Sequence, residues 1–381
     1  MTSPSPVVPT GERVLLEALG RHLGADRIVA DPAVLAGLSH DEAVWAPVGT
    51  AAVAVRACSE ADVQAVVRIA AELCLPVVPR GAGTGLSGGA NAVDRCIVLD
   101  LSRMTAVLDV DAENLVCVVQ PGIVNNDLKA VLAEQGLWDP PDPASAPWST
   151  IGGNVATNAG GLCCLKYGVT RDYVLGLRAV MGGPAGYGTA VGIGRRTTKG
   201  VAGYDLAGLM VGSEGTLGVI TEVTLRLRPA LVGTPHTVVG AFGTLVAAGQ
   251  AVATVTRRGL TPSALELLEL LDRTCLRAVQ EWKHLGIEAD ATALLLARVD
   301  TPGDAGVPEA RALAESFRRP ARCGPSSPPT LSRPRRCSRP AGWPIPLWNG
   351  SGPCSPRTSA CPGPRCPRCW PSSRRSPRAT T

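Results

Sequence analysis

The hydrophobic pattern changes period twice in the first third of the chain. An apolar run over 51–57 is typical of a buried strand, and apolar residues then recur at helical spacing over 63–70. Ser59 and Asp62 stand three positions apart at the start of this spacing, as in an N-terminal capping box. A β-branched pair follows at 77–78. The pattern predicts a strand, a capped helix and a second strand.

Strand-like runs then follow one another closely, at 96–101, 106–111 and 115–122, before a stretch of helical spacing over 126–135. Runs this close together leave little room for a helix between each pair of strands. This part of the chain therefore predicts the α+β fold class rather than a regular alternation of strands and helices.

A glycine-rich stretch, GAGTGLSGG, follows the second predicted strand and holds five glycines between Gly81 and Gly89. Each glycine loses extra conformational freedom on folding, about 0.5–1 kcal/mol relative to alanine in a regular element. A ligand that needs bare backbone N–H groups offsets this loss, and phosphate groups are such ligands. We therefore expect a phosphate-containing cofactor at this loop, with an ordinary surface loop as the alternative.

The same stretch contains Gly83-x-Gly85-x-x-Gly88, which matches the dinucleotide-binding fingerprint of nicotinamide-dependent dehydrogenases. Asp100 also follows at nearly the expected distance. That fold requires a crossover helix of about a dozen residues or more after the fingerprint. Only seven residues separate Gly88 from the strand-like run at 96–101, so the loop is predicted to lead directly into a strand. This spacing argues against the nicotinamide alternative.

Two further glycine-rich blocks lie at 149–161 and 211–229. The second continues into a strand, in which Val223, Leu225 and Leu227 alternate with polar residues. A tight turn before a strand is the alternative for this block. Three such blocks in one region seldom serve only as turns, and together they favour a cofactor site.

Six motifs resemble those of the flavoproteins of the vanillyl-alcohol oxidase / p-cresol methylhydroxylase (PCMH) superfamily. Within it, the sequence is most similar to the branch that contains the glycolate oxidase flavin subunit and the D-lactate dehydrogenases. Order and spacing agree with the family from about residue 40 to about residue 315. The motifs are PRGAGTGLSGG (79–89), PPDPAS (140–145), IGGNVATNAGG (151–161), KYG (166–168), RTTKGVAGYDL (196–206) and GSEGTLGVITEVTLRL (212–227).

The resemblance implies an α+β protein in which a two-subdomain PCMH-type FAD-binding domain precedes a cap, or substrate, domain. The expected divisions are an N-terminal helical lead-in at 1–43, the FAD-binding domain at 44–230, an incomplete α+β cap domain at 231–318 and a tail at 319–381. Within the cap, the apolar pattern predicts a helix over 263–282 and a strand over 292–300.

The resemblance also implies that FAD lies extended between the two subdomains, with the backbone amides of 81–89 on its pyrophosphate. Charge-assisted N–H bonds of this kind contribute about 1.5–3 kcal/mol each. The residues that the resemblance assigns to the cofactor are Arg80, Gly81, Ala82, Gly83, Thr84, Gly85, Leu86, Ser87, Gly88, Asp142, Gly152, Gly153, Asn154, Thr157, Asn158, Gly160, Gly161, Gly212, Glu214, Gly215, Gly218, Val219 and Ile220.

Thr84 bears on how the flavin is attached. Some members of the superfamily bind the flavin covalently through a histidine two or three residues into the first glycine loop. Threonine stands at that position here. We therefore expect non-covalent FAD.

The activity that the resemblance implies is oxidation of a small 2-hydroxy acid of the D-lactate or glycolate type, with electrons passed on to a protein, a quinone or oxygen. Three later motifs of the family are absent from this sequence: a Glu-Asp-Val-x-Val-Pro stretch, a glycine-rich segment that ends in Gly-Asp-Gly-Asn-x-His, and a late Glu-His-Gly. No catalytic base is therefore assigned, and the four histidines are expected to be ordinary surface or core residues. The alternative is a non-catalytic FAD-binding subunit or an inactive fragment.

Composition excludes several classes of partner. Residues 321–381 contain eleven arginines and no acidic residue, which leaves 26 basic against 32 acidic residues in 1–320. An acidic body and a 3% aromatic content argue against nucleic-acid binding. No apolar run reaches membrane-spanning length, and no signal peptide is recognisable at the start. We expect a cytoplasmic protein, with peripheral membrane attachment as an alternative.

The seven cysteines before residue 321 show no metal-ligand spacing, and no metal site is predicted there. They are expected to be reduced and mostly buried.

The tail holds fourteen prolines, eleven arginines and six cysteines over 321–381, with no lysine. Such a segment cannot bury a core. A basic tail for an acidic partner and a zinc knuckle at Cys354, Cys361, Cys366 and Cys369 are alternatives. We expect instead a shifted reading frame that begins near 316–322. One codon choice for 355–362 reads Thr-Glu-Asp-Val-Cys-Val-Pro in the neighbouring frame, which resembles a missing family segment.

Overall fold

The computed structural model describes residues 10–183, 186–197, 199–233, 235–260, 265–283 and 291–318, so the predictions for the tail lie outside the described residues. The helices are α1 Thr10–Gly20, α2 Pro32–Leu38, α3 Glu60–Glu72, α4 Asn125–Ala133, α5 Ile151–Thr157, α6 Cys164–Tyr167, α7 Leu206–Met210, α8 Leu245–Arg257, α9 Arg273–Lys283 and α10 Val307–Arg318. The strands are β1 Ile28–Val29, β2 Val53–Arg56, β3 Val77–Arg80, β4 Ile97–Asp100, β5 Val107–Asp111, β6 Val116–Val119, β7 Leu137–Trp138, β8 Val174–Met181, β9 Ala190–Gly194, β10 Gly218–Arg226, β11 Arg228–Pro229, β12 His236–Phe242, β13 Leu265–Asp272 and β14 Ala293–Val299. Among these described helices, none combines the length and the apolarity that crossing a bilayer requires.

The first sheet has the order β1-β2-β4-β3, with β2, β4 and β3 parallel and β1 antiparallel to β2. Helix α3 connects β2 to β3, and its capping box between Ser59 and Asp62 is present as predicted. The glycine-rich loop then leads from β3 to β4 without a helix. The absence of a crossover helix confirms that the loop is not a dinucleotide-binding unit of the nicotinamide type.

The lead-in contributes to the core of this first sheet. Leu15, Leu19 and Leu23 are buried against α3 and the strands. Strand β1 adds an antiparallel edge to β2. The N-terminal helical segment is therefore integrated into the first subdomain, because its apolar face is buried there rather than exposed.

The second sheet is antiparallel, with the order β5-β6-β10-β8-β9. Val223 and Leu225 on β10 are almost completely buried, as their alternation with polar residues predicts. Helix α4 contributes Leu128 and Leu132 to the same core, and α5 contributes Ile151. The core therefore fixes α5, which carries the second glycine-rich block, against the sheet.

The third sheet, β12-β14-β13, packs against α8 and α10 around Leu295 and Leu313. The predicted strand over 292–300 is confirmed as β14. The predicted helix over 263–282 is wrong in its first half, where the chain forms β13 before α9 begins at Arg273. The register of β13 against β14 supplies backbone hydrogen bonds that override the local helical spacing.

The seven cysteines in the described part of the chain form no disulfide, as predicted. Cys96, Cys117 and Cys163 are buried, whereas Cys74 and Cys275 are exposed. Cys58 and Cys164 are half-buried, so the expectation of burial holds fully for three of the seven cysteines and in part for two more.

Asp139 is an ionisable side chain inside the second subdomain, 2% exposed. Burial raises the pKa of its carboxyl to about 7, and the positive charge of Lys129 opposes the rise. The folded protein therefore holds this proton more tightly than the unfolded chain does, because an ordinary aspartate has a pKa near 3.8.

Asp139→Asn is expected to flatten the pH dependence of stability. The wild-type protein loses stability as the pH rises from about 4 to about 7, because the unfolded chain releases this proton first, and the full loss persists above about pH 7. The variant removes this loss, so its free energy of unfolding in urea exceeds the wild-type value at about pH 8 by up to a few kcal/mol. Asp127→Asn, on the exposed face of α4, is the control. Parallel pH profiles for Asp139→Asn and wild type would contradict the buried-carboxyl argument.

Candidate cofactor site

A cavity of ≈ 340 Å³ lies where the three glycine-rich blocks approach one another. Eighteen of the predicted cofactor residues line it, including Thr84, Asn154 and Glu214. The predicted residues that do not line the cavity are Gly88, Asp142, Gly161, Gly212 and Val219. The lining residues that sequence reasoning missed are Asp41, Pro79, Gly89, Ala90, Leu101, Pro121, Ser145, Thr150, Ala156 and Ala159.

The first wall of the cavity presents backbone amides. The N–H groups of residues 82–89 donate no hydrogen bond to any part of the chain that the structure describes. Seven of these eight residues, all but Gly88, line the cavity. A run of unpaired N–H groups around a cavity suits the pyrophosphate of FAD, because its oxygens accept charge-assisted hydrogen bonds. The residues present therefore fit the cofactor that the resemblance implies.

The side chain of Arg80 packs against this loop. Its Nη1 donates to the carbonyl oxygen of His40 at 2.7 Å, and its guanidinium lies directly against Gly83. Burial lowers the pKa of Arg80, and the carboxylates of Asp100, Asp41 and Glu42 oppose that shift. Gly83 has a φ of +73°, where a side chain is strained. The loop therefore rests on a buried cation whose position excludes a Cβ at residue 83.

The segment that precedes β2 is hydrogen-bonded to the loop and to Asn91, just after it. The backbone N–H of Asp41 donates to Asn91 Oδ1 at 2.7 Å, and Asn91 Nδ2 donates to the carbonyl oxygen of Pro47 at 3.2 Å. The N–H of Glu42 donates to the carbonyl oxygen of Gly85 at 3.0 Å. No motif in the sequence marks Asp41, because its role depends on Asn91, which is 50 residues away.

Helix α5 forms the second wall. Thr150 caps it through a hydrogen bond from the Gly153 N–H at 3.2 Å, and the Gly152 N–H donates to the carbonyl oxygen of Pro121 at 2.8 Å. A Cβ at Gly152 would overlap Pro121, and one at Gly81 would overlap the Thr150 hydroxyl. These two glycines are needed for close backbone approach, which brings the first and second blocks together.

Two non-glycine residues beside the cavity lie in the left-handed region: Glu214 on the third wall, at a φ of +48°, and Asn158 at the end of α5, at +49°. The Glu214 N–H donates to the carbonyl oxygen of Ala156 at 3.0 Å, and its carboxylate lies against Gly89. Such backbone strain persists only where the surrounding structure determines it, and it clusters at functional sites. Glu214 thereby connects the third glycine block to both other walls.

Asp142 supports the cavity wall without lining it. Its Oδ1 accepts from the Cys163 N–H at 3.1 Å, and its Oδ2 accepts from the Cys163 thiol at the same distance. A Cβ at Gly161 would overlap Asp142. Asp142 therefore fixes the turn between α5 and α6, whose Gly160 faces the cavity.

The same turn is tied to the third sheet. Lys166 Nζ on α6 lies 2.6 and 2.7 Å from the two carboxylate oxygens of Asp300, directly after β14, and the Tyr167 hydroxyl donates to the same carboxylate. The Asp300 side chain is 4% exposed. A buried ion pair thus joins the cap sheet to the segment that carries the cofactor wall.

Comparison with known proteins agrees with this geometry. The family model "FAD binding domain" matches residues 51–186, and "FAD linked oxidases, C-terminal domain" matches residues 235–321. The chain belongs to the family of FAD-linked oxidases. The predicted FAD cofactor is therefore confirmed at the level of the family, and so is the α+β fold with a PCMH-type domain.

Two curated relatives and one solved structure are similar to the chain. It is 40% identical to the glycolate oxidase subunit GlcD of Bacillus subtilis over 241 residues, which are 63% of this chain and 50% of that protein. It is 39% identical to a D-lactate dehydrogenase of Anaerostipes hadrus over 252 residues, 65% of this chain and 51% of that protein. A structure of p-cresol methylhydroxylase has a TM-score of 0.65 at 17% identity, covering 82% of this chain and 65% of the other. The chain spans about half the length of the curated relatives it matches.

Gly83→Ala is expected to destabilise the apoprotein by at least about 1–2 kcal/mol, the usual strain of a left-handed non-glycine residue, because the new Cβ would also overlap the Arg80 guanidinium. Gly85→Ala in the same loop is the matched control, because its Cβ would make only an ordinary 3.4 Å contact with Asp41. The control should stay within about 0.5 kcal/mol of wild type. The measurement is urea unfolding of both variants without FAD, and equal stability of the two would contradict the loop geometry.

Asp300→Asn is expected to lower the free energy of unfolding by about 3 kcal/mol. The substitution removes the charge that faces the buried Lys166 ammonium, and such losses are typically about 3–5 kcal/mol. We expect the lower end, because the Lys166 side chain keeps 19% exposure. Asp304→Asn, on an exposed turn of the same domain, is the control. Protease cleavage within 235–318 should accelerate only in Asp300→Asn, and matching behaviour of the two variants would refute the ion pair's role.

Proposed function

We propose that this chain is an FAD-dependent oxidoreductase that oxidises a small 2-hydroxy acid of the D-lactate or glycolate type. The observation that carries the proposal is the run of unpaired backbone amides at 82–89 around the cavity, within a domain of the FAD-binding family. The names of the two curated relatives support the substrate class. FAD, when bound, supplies a flavin ring that accepts the hydride from the α-carbon of the acid.

Different segments of the chain are proposed to bind different parts of FAD. The amides of the first loop would hold the pyrophosphate of FAD, and α5 and the Glu214 segment would line the rest of its site. Thr84 lines the cavity where covalent members carry histidine, which supports non-covalent attachment. The described residues provide no assignment for the base that takes the hydroxyl proton, and the electron acceptor is a protein, a quinone or oxygen.

We also propose the domain limits and the tail as predicted: a lead-in at 1–43, an FAD-binding domain at 44–230, a cap domain at 231–318 and an out-of-frame segment from about 319. The C-terminal family model supports this division, since its match ends at residue 321, six residues after Glu315, the last acidic residue of the sequence. On this proposal the cap is incomplete and activity is impaired. A non-catalytic FAD-binding subunit or an inactive fragment is then the alternative function.

The purified protein is expected to carry, or to take up, FAD with the absorbance bands of a flavin. Acid precipitation should release all of the yellow colour into the supernatant, because attachment is non-covalent. Anaerobic addition of D-lactate or glycolate should bleach the flavin, with L-lactate as the control. Bound flavin that neither D-lactate nor glycolate reduces would support the alternative of a non-catalytic subunit. A protein that binds NADH without flavin would contradict the proposal.

Restoring the neighbouring reading frame across codons 310–330 is expected to raise both FAD affinity and turnover. The extended cap would cover apolar surface and supply the missing base. Resequencing this region and comparing the two proteins side by side is the measurement. An intact frame in the gene, together with full turnover by the 381-residue chain, would contradict the proposed frame shift.

A further inference from the structure

A second, much smaller cavity adjoins α5. Its volume is ≈ 10 Å³, about the space that one water molecule needs. The residues that line it are Asn125, Asp139, Pro141, Ile151, Asn154, Thr170 and Leu225. Asn154 also lines the cofactor cavity, so the two cavities share a wall.

Two buried oxygen atoms at this cavity accept no hydrogen bond from the described part of the chain. They are Asn125 Oδ1 and Asp139 Oδ1. The two residues are 1% and 2% exposed. A buried acceptor of this kind gives up its hydrogen bond to water on folding and is normally compensated by a protein group or an ordered water.

The orientation of the Asn125 amide is fixed by its neighbours. Its Nδ2 donates to Asn154 Oδ1 at 3.0 Å and to the carbonyl oxygen of Pro141 at 3.3 Å. The carbonyl oxygen of Pro141 can only accept, and Asn154 Nδ2 donates in turn to Ser149 Oγ at 3.1 Å. Rotating the Asn125 amide would set two oxygens against each other. The Oδ1 atom therefore cannot exchange places with Nδ2 to find a donor.

The nearest cation does not supply the missing donor. Lys129 Nζ donates to the carbonyl oxygen of Pro141 at 2.7 Å. Burial and then the Asp139 carboxylate raise the pKa of Cys117. Burial also raises the pKa of Tyr173, where Arg228 and Arg226 oppose the rise and the Asp139 carboxylate contributes least. Neither group donates to Asp139 Oδ1, which has no hydrogen-bond partner in the described part of the chain. The two residues that carry these acceptors thus line a cavity with room for one small donor.

We propose that one internal water molecule binds in this cavity and donates one hydrogen bond to Asp139 and the other to Asn125. The water and Asp139 hold Asn125 in the orientation that fixes Asn154 on the wall of the cofactor cavity. Asp139 is then a positioning residue for the cofactor, acting through Asn125 and Asn154. The water site is supported by Asn125 Oδ1, Asp139 Oδ1 and the small cavity. Its link to FAD binding rests on the proposed function.

The water site is tested first in the unmodified protein. A high-resolution crystal structure should show one compact density peak within hydrogen-bond distance of Asn125 Oδ1 and Asp139 Oδ1. Direct contact between the two side chains, or no density in the cavity, would overturn the proposal. This measurement requires no FAD, so it decides the water site even if the proposed function fails.

The positioning role is tested by FAD titration of three variants. Asp139→Leu removes the water's anchor and should weaken FAD binding about tenfold, the effect of losing one orienting hydrogen bond. Asp139→Asn keeps an oxygen for the water and should bind FAD as wild type does, and Asp127→Asn on the exposed face of α4 is the matched control. A merely structural role would lower stability in Asp139→Leu without changing FAD affinity. That result, or a loss of affinity in Asp139→Asn equal to that in Asp139→Leu, would overturn the positioning role.

Discussion

The structure depends on one constraint: the backbone amides of 82–89 must face a cavity without acceptors from the protein itself. A loop with five glycines has little conformational preference of its own, so its shape has to come from its surroundings. The Arg80 side chain packs against the loop, and the Asp41 segment lies beside it. Thr150 and Glu214 contact the glycines at its two ends. The rigidity of the site therefore comes from buried polar groups around the loop.

The glycine blocks made much of the site predictable from sequence. Glycines at 81, 83, 152 and 215 mark positions where the backbone approaches another segment closely or takes a positive φ. Such requirements are local and appear directly in the sequence. The spacing after Gly88 likewise excluded a crossover helix, because a helix needs more residues than the chain provides there.

The supporting groups were not predictable in the same way. Asp41 works through Asn91, and Asp142 works through Cys163, so each role depends on a contact between distant parts of the chain. Asp142 belongs to a family motif, yet it braces the wall rather than lining the cavity. Strand β13 has the apolar spacing of a helix and becomes a strand because β14 provides a register for it. Tertiary contacts, which no local pattern records, decide these cases.

The ion pair between Lys166 and Asp300 explains why the cap sheet and the cofactor wall keep one relative position. Two apolar surfaces can shift past each other at little cost in free energy. The buried Asp300 carboxylate keeps its bonds to the Lys166 ammonium and the Tyr167 hydroxyl only when the two segments hold one relative position. A buried pair adds little net stability, so we infer that its contribution here is to orientation. Because α6 directly follows the turn that Asp142 fixes, a displacement of β14 would move α6 and, with it, the turn that carries Gly160 on the cavity wall.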